Sequence, residues 1–251
     1  MEKYKPILII AAMDVEFELL KEKLESLTVS RLNQYDCYEG FIDNYPVVIC
    51  NSLIMSINAA VATTLAIQKY NPVAIINEGT AGGHGLNVHK GDIVIGENCI
   101  NILSSGTPIK KEGEGSSTLD WTLTNFIAGE PNRLVYQRAD SKLIKLAESI
   151  EYLEGKVHIG TIGSADIWDR EYDRIMMLNK RYGTLCEDME ANAIYTVANQ
   201  FNIPVLGIKI VSNNEILGES YERSTGNKSQ EFSYELIKKI IKRFKNKEPK
   251  L

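Results

Sequence analysis

A single α/β domain, with a central mixed, mostly parallel twisted sheet flanked by helices, is the fold the sequence predicts. Three observations predict it. The chain has 251 residues, 44% hydrophobic and 24% charged, enough to bury a substantial core within the usual size of one domain. Runs of β-branched and apolar residues alternate with amphipathic stretches, the order that builds a sheet with helices on its faces. Several of those runs are apolar on both faces, as a sheet covered on both sides requires.

The elements follow in order. ILIIAA (7–12) reads as the first strand and 14–27 as an amphipathic helix; VVIC (47–50) is a strand and 56–70 a helix. VAIINEG (73–79) and DIVIG (92–96) are strands, and 140–150 is a helix. VHIGTIG (157–163) is a strand, 170–181 and 189–201 are helices, and VLGIKIVS (205–212) is the last strand. The final helix, 231–245, sets Leu236, Ile237, Ile240, Ile241 and Phe244 on one face. Between them, 104–134 is rich in Gly, Ser and charge with weak periodicity, and reads as a long excursion from the core.

Charge and cysteine usage exclude several function classes. A net charge of -5 offers no basic face for a phosphate backbone, so a small molecule is the expected partner and nucleic acid is not. The apolar run within residues 1–12 is only about eight residues long and is followed by acids, too short for a membrane span and wrong for a cleaved signal. A cytoplasmic protein without a membrane partner is expected. Cys37, Cys50, Cys99 and Cys186 lie far apart with no CxxC spacing, which suggests buried thiols and neither a zinc site nor a disulfide framework.

Three strand ends carry unusual residues, and ligands of open α/β sheets gather where strands end. In AAMDVEFELL (11–20) a buried strand runs into Asp14 and Glu16, although acids there also stabilise a helix N-terminus. NEGTAGGHG (77–85) places four glycines directly after a strand, where backbone N–H groups can approach a ligand or simply make a tight turn. It lacks the Gly-Lys-Ser/Thr ending of a Walker loop. CEDMEANAI (186–194) sets Asp188 and Glu190 around Met189 at a strand-to-helix junction, where one acid could be a helix cap.

Together these pieces resemble the methylthioadenosine/S-adenosylhomocysteine nucleosidases of the purine nucleoside phosphorylase superfamily, over nearly the whole chain. The resemblance rests on Ala12-Met13-Asp14 with Glu16, on Gly79-Thr80-Ala81-Gly82-Gly83, and on Gly91–Val94. It extends to Ala139-Asp140 with Lys142-Leu143-Ile144, and to Asp188-Met189-Glu190. It implies a nucleoside phosphorylase-like fold and hydrolysis of the N-glycosidic bond of a purine nucleoside, with no cofactor, no metal and a homodimeric state. Glu16 would be the base that activates water, and Glu190 would hold the ribose hydroxyls. Met13 and Met189 would line the sugar near Thr80, Ala81 and Gly82, with Ile54 facing the 5′ substituent. In SADIWDRE (164–171), Trp168 would stack on the purine, with Asp169 beside it at the base edge and Ser212 and Asn213 ending the last strand.

The chemistry independently suits these residue types. Loss of a purine leaves an oxocarbenium-like ribosyl centre, so a nearby carboxylate and a base for water both lower the barrier, the base by about 10²–10⁴-fold. The sequence departs from the family at Asn213, where an Asp that protonates the leaving purine is expected; an amide donates no proton at neutral pH. Asp166, Asp188 or water would then supply it. Asn213 suits either an adenine edge or a 6-oxopurine such as that of futalosine or inosine. A nucleoside-binding protein with weak or no turnover is the alternative outside enzymes. A phosphorylase would need a cationic phosphate clamp, and the superfamily's Gly-Asp-Pro and nearby Arg are missing. Leu53-Ile54-Met55 replaces Gly-Ile-Gly and would reshape the 5′ pocket, while 104–134 and 213–226 are candidates to close over the site.

Overall fold

The all-apolar run near the amino-terminal end forms β1 (Ile7–Ala11), and each of its residues is fully buried. The structure is a computed structural model and describes residues 4–245. Side chains alternate across β1, and the core divides accordingly. Ile7, Ile9 and Ala11 face α6 (Thr225–Lys245) through Phe232, Leu236, Ile237 and Ile240. Leu8 and Ile10 face α2 (Ser56–Tyr70) and α5 (Ala191–Gln200) through Ala59, Ala62, Ala66 and Ile194. Helices therefore cover both sides of the sheet, as expected.

The helix expected over 14–27 breaks early. A 3-10 turn at Asp14–Glu16 leads to α1 (Glu18–Glu22), and the chain then enters a meander of β2 (Glu25–Leu32), β3 (Tyr35–Ile42) and β4 (Tyr45–Asn51). All three are antiparallel to their neighbours in that meander. β2 escaped the sequence reading because it is an edge strand exposed on most of its length, without an apolar face to betray it. The turn between β3 and β4 carried a signal: Asp43 and Asn44 both adopt positive φ (49° and 57°), the pair of left-handed residues that a two-residue hairpin requires.

The remaining strands are β5 (Ala74–Gly83), β6 (Ile93–Asn101), the short β7 (Ser105–Gly106), β8 (Thr122–Leu123) and β9 (Gln137–Arg138), then β10 (Val157–Ser164), β11 (Thr184–Asp188) and β12 (Val205–Asn213). With α3 (Ser141–Glu148) and α4 (Tyr172–Tyr182) they complete the fold. The main sheet runs β11-β10-β6-β12-β5-β1-β4-β3-β2, parallel at β1, β4, β5 and β12 and antiparallel where β6 meets β12. β11, whose end is the strand-to-helix junction read at 186–194, closes the architecture. Its Cys186 and Glu187 pair antiparallel with Gly83 and Gly82, so β5, β12, β6, β10 and β11 form a ring. Tyr195 of α5 locks that ring: its hydroxyl donates to the Gly96 carbonyl and accepts from the Gly207 amide, both at 2.6 Å. A Cβ at Gly96 or Gly207 would stand 2.8 or 3.0 Å from that oxygen.

Among the described residues no helix is long and apolar enough to cross a membrane, and all four cysteines are buried and free. The stretch 104–134 is held by the β7–β8 pair and by Leu123, which packs with Ile100, Ile102 and Leu178.

Candidate active site

Ring closure brings the carboxyl ends of β1, β5 and β12 against the carboxyl end of β11. A cavity of about 340 Å³ opens there. Its wall includes Met13, Glu16, Ile54, Thr80, Ala81, Gly82, Trp168, Met189, Glu190, Ser212 and Asn213, so eleven of the twelve expected site residues converge. Asp169 does not. Its carboxylate turns away to pair with the buried Arg174 and to accept from the Glu171 amide. Ala12, Ile167, Glu187, Asp188 and Tyr221 also line the wall. A larger surface cleft of about 570 Å³ beside α1 and α6, lined by Lys23, Tyr152 and Tyr234, has no comparable set of buried acids.

Glu16 is 3% exposed and held by four donors. One carboxylate oxygen accepts from the Ala12 and Met13 amides at 3.0 and 3.1 Å; the other accepts from the Thr80 amide and hydroxyl at 2.8 and 3.0 Å. Such charge-assisted bonds fix its orientation. Gly79 makes this possible, since a Cβ there would lie 2.9 Å from Oε1 of Glu16.

Glu190 precedes α5 and accepts from the Met55 amide at 2.7 Å. Burial pushes its carboxyl up to about 8, with repulsion from Asp188 and Glu16 adding to the shift and Lys209 opposing it. A large share of Glu190 is therefore protonated near neutral pH and can both donate to and accept from a diol. The Met55 amide is aimed by unusual backbone: Leu53 and Met55 have φ of 58° and 81°, conformations that favour glycine.

Lys209, set between Ile208 and Ile210 in β12, is the residue sequence reasoning missed. Its signal was available, because a lysine inside an otherwise apolar strand needs a buried partner. Its Nζ lies 2.8 Å from Oδ2 of Asp188, with both side chains nearly fully buried. Burial opposes its charge, yet Asp188, Glu16 and Glu190 outweigh that and raise it above the ordinary lysine value. Asp188 is further spent on the Ala191 amide at the start of α5. Asp166 accepts from the Ser56 amide and hydroxyl at 2.7 and 2.8 Å, so neither aspartate is free as a proton source.

At the other end, a bulge in β12 between Val211 and Asn213 re-aims the strand end. The Ser212 hydroxyl is 3.1 Å from the Ala81 carbonyl and from Oδ1 of Asn213, and the Asn213 amide donates to Glu215 at 3.3 Å. Trp168, half exposed, meets Tyr221 edge-on with centroids 6.0 Å apart. Tyr221 comes from the 213–226 segment, and no described residue of 104–134 reaches the wall.

No arginine or unpaired lysine lines this cavity among the described residues, which leaves no clamp for phosphate. The sheet is mixed and ring-closed with acids at converging strand ends, and the model of the phosphorylase superfamily matches residues 6–243. A 5′-methylthioadenosine/S-adenosylhomocysteine nucleosidase of Bacillus licheniformis is 31% identical over 246 residues, covering 94% of this chain and 98% of its own. One of Halalkalibacterium halodurans is 32% identical over 208 residues, covering 82% and 84%. The crystal structure of the Neisseria meningitidis nucleosidase of the same name, in complex with methylthio-immucillin-A, superposes with a TM-score of 0.76 at 25% identity, covering 93% of this chain and 99% of that one. The chain belongs to the 5′-methylthioadenosine/S-adenosylhomocysteine nucleosidase family. It is a hydrolase acting on the N-glycosyl bonds of purine nucleosides.

Proposed function

We propose that the chain cleaves a 5′-thio-substituted adenosine with water, releasing free adenine, and that Glu16 and Glu190 divide the work on the sugar. The observation that carries this is the convergence of two differently held acids on one cavity that has no phosphate clamp. Glu16, oriented by four donors, takes a proton from the water that attacks C1′. Glu190, with one oxygen on the Met55 amide, keeps the other for the ribose hydroxyls, and its negative charge, once the proton is shared, stabilises the developing oxocarbenium ion. Trp168 offers a flat face for the purine and Asn213 an amide for its edge. The exposed apolar residues Ile54, Met55, Ile57 and Val61, which border the site on the β4–α2 connection and α2, suit a second copy completing the 5′ pocket of a homodimer.

The test is a nucleoside panel (methylthioadenosine, S-adenosylhomocysteine, adenosine, inosine and futalosine) with and without phosphate, read by release of free base. Adenine release from the thio-substituted members, independent of phosphate, is expected. Preference for inosine or futalosine would move the substrate to the 6-oxopurines, and tight binding without any base release would make the protein a nucleoside binder.

A further inference from the structure

One carboxyl on the cavity wall has no part in the roles above. Glu187 is 5% exposed and stands beside Asn213: a Cβ added to Gly82 would lie 3.4 Å from its Cγ and 3.7 Å from both its Oε1 and the Asn213 amide nitrogen. The two side chains thus flank one glycine at the end of the pocket where the purine would sit. Oε1 of Glu187 accepts from the Asp169 amide at 2.8 Å. Oε2 lies 3.3 Å from Nε2 of His84, which is 1% exposed. Nδ1 of His84 is 2.9 Å from the Thr184 hydroxyl. Neither Oε2 of Glu187 nor Nε2 of His84 has a hydrogen-bond partner of good geometry among the described residues. Buried polar atoms are nearly always paired, so an imidazole and a carboxyl left to each other form a place to keep one proton.

We propose that Glu187, backed by His84, is the acid of the leaving-group side and does what Asn213 cannot. The inference rests on the nucleosidase reading. As the C1′–N9 bond breaks, its electron pair goes to the purine, and the Glu187 carboxyl gives its proton to a ring nitrogen of the departing base. The oxygen of water bonds to C1′, and the proton that Glu16 removes from that water returns through solvent to the Glu187–His84 pair. Nucleoside and water become free base and free sugar, with no other reactant. Asp188 and Asp166, the other two candidate proton sources, are held by Lys209 and Ser56. Glu187 is the acid on this wall with one oxygen buried against an imidazole and without a hydrogen-bond donor of good geometry among the described residues.

The experiment compares a purine nucleoside with a 4-nitrophenyl riboside, whose leaving group departs without protonation. Glu187→Gln should slow purine release on the order of 10²-fold while changing nitrophenolate release less than about threefold. His84→Gln should show the same dependence on the leaving group. Placing an acid at the neighbouring position, Asn213→Asp in the Glu187→Gln background, should recover at least about tenfold of the purine rate. Purine release from Glu187→Gln at the wild-type rate overturns the proposal. So does a loss shared by both substrates, or a failure of Asn213→Asp to rescue when that substitution alone leaves the enzyme active. Wild-type protein that releases no base from any nucleoside overturns the nucleosidase reading instead.

Discussion

The two ends of the cavity are built from different materials. At the sugar end, main-chain amides do the holding: Ala12, Met13 and Thr80 fix Glu16, and Met55 fixes Glu190. At the purine end, side chains do more of the holding: Asn213 leans on Ser212 and Glu215, Trp168 on Tyr221, and Glu187 is shared between the Asp169 amide and His84. A main-chain donor survives nearly any substitution of its residue, whereas a side-chain partner disappears with one. The difference explains how an Asp expected by family resemblance can be an Asn here while the arrangement around Glu16 stays whole. The attack chemistry is fastened to the fold, and base recognition is open to single exchanges.

The strongest way to break that comparison is at Glu16. Glu16→Gln keeps the shape and loses the base, so base release should fall by about 10²–10⁴-fold, for purine and nitrophenolate leaving groups alike. A loss confined to purine substrates would show that the two ends are not separable. A milder probe is pH. Glu190 titrates at about 8 in the folded chain against an ordinary 4.5, so the folded state keeps a proton that the unfolded state releases between those values. The folded state is therefore favoured below about 4.5 and loses that advantage as pH rises through about 8. The melting temperature should decline across this window, and Glu190→Gln should flatten the decline. Glu78, fully buried and also pushed upward by burial, leaves a residual slope of the same sign.

Legibility followed the same division. The strand ends that carry Glu16, Gly79–Gly83 and Glu190 could be read from the chain because buried apolar runs stop there at small or acidic residues. The β2–β4 meander could not, since β2 has no apolar face and its approach through Leu20 and Leu24 imitates helical spacing. The place of β11 in the ring was hidden for another reason: its Cys186 and Glu187 meet Gly83 and Gly82 of β5 far along the chain. The turning of Asp169 toward Arg174, and the meeting of Glu187 with His84 across 103 positions of chain, are products of that closure. No local pattern carries them.

The smallest expected effect lies where the sugar end departs from its family pattern. Leu53 and Met55, standing where the family pattern has glycines, both have positive φ, with Met55 at φ 81° and ψ 157°, a region nearly closed to residues with a Cβ. Strain of this kind costs about 1–3 kcal/mol per residue. What it secures is the 2.7 Å bond from the Met55 amide to Glu190, which depends on the backbone and not on the side chain. Met55→Gly should therefore relieve the strain, offset partly by the greater freedom of glycine in the unfolded chain, for a net gain of about 1 kcal/mol in denaturant unfolding. Base release should stay near the wild-type rate, because the amide is still in place. If the variant is more stable but slower, the strained loop itself tunes Glu190, and the sugar end is less firmly fastened by its main chain than its hydrogen bonds indicate.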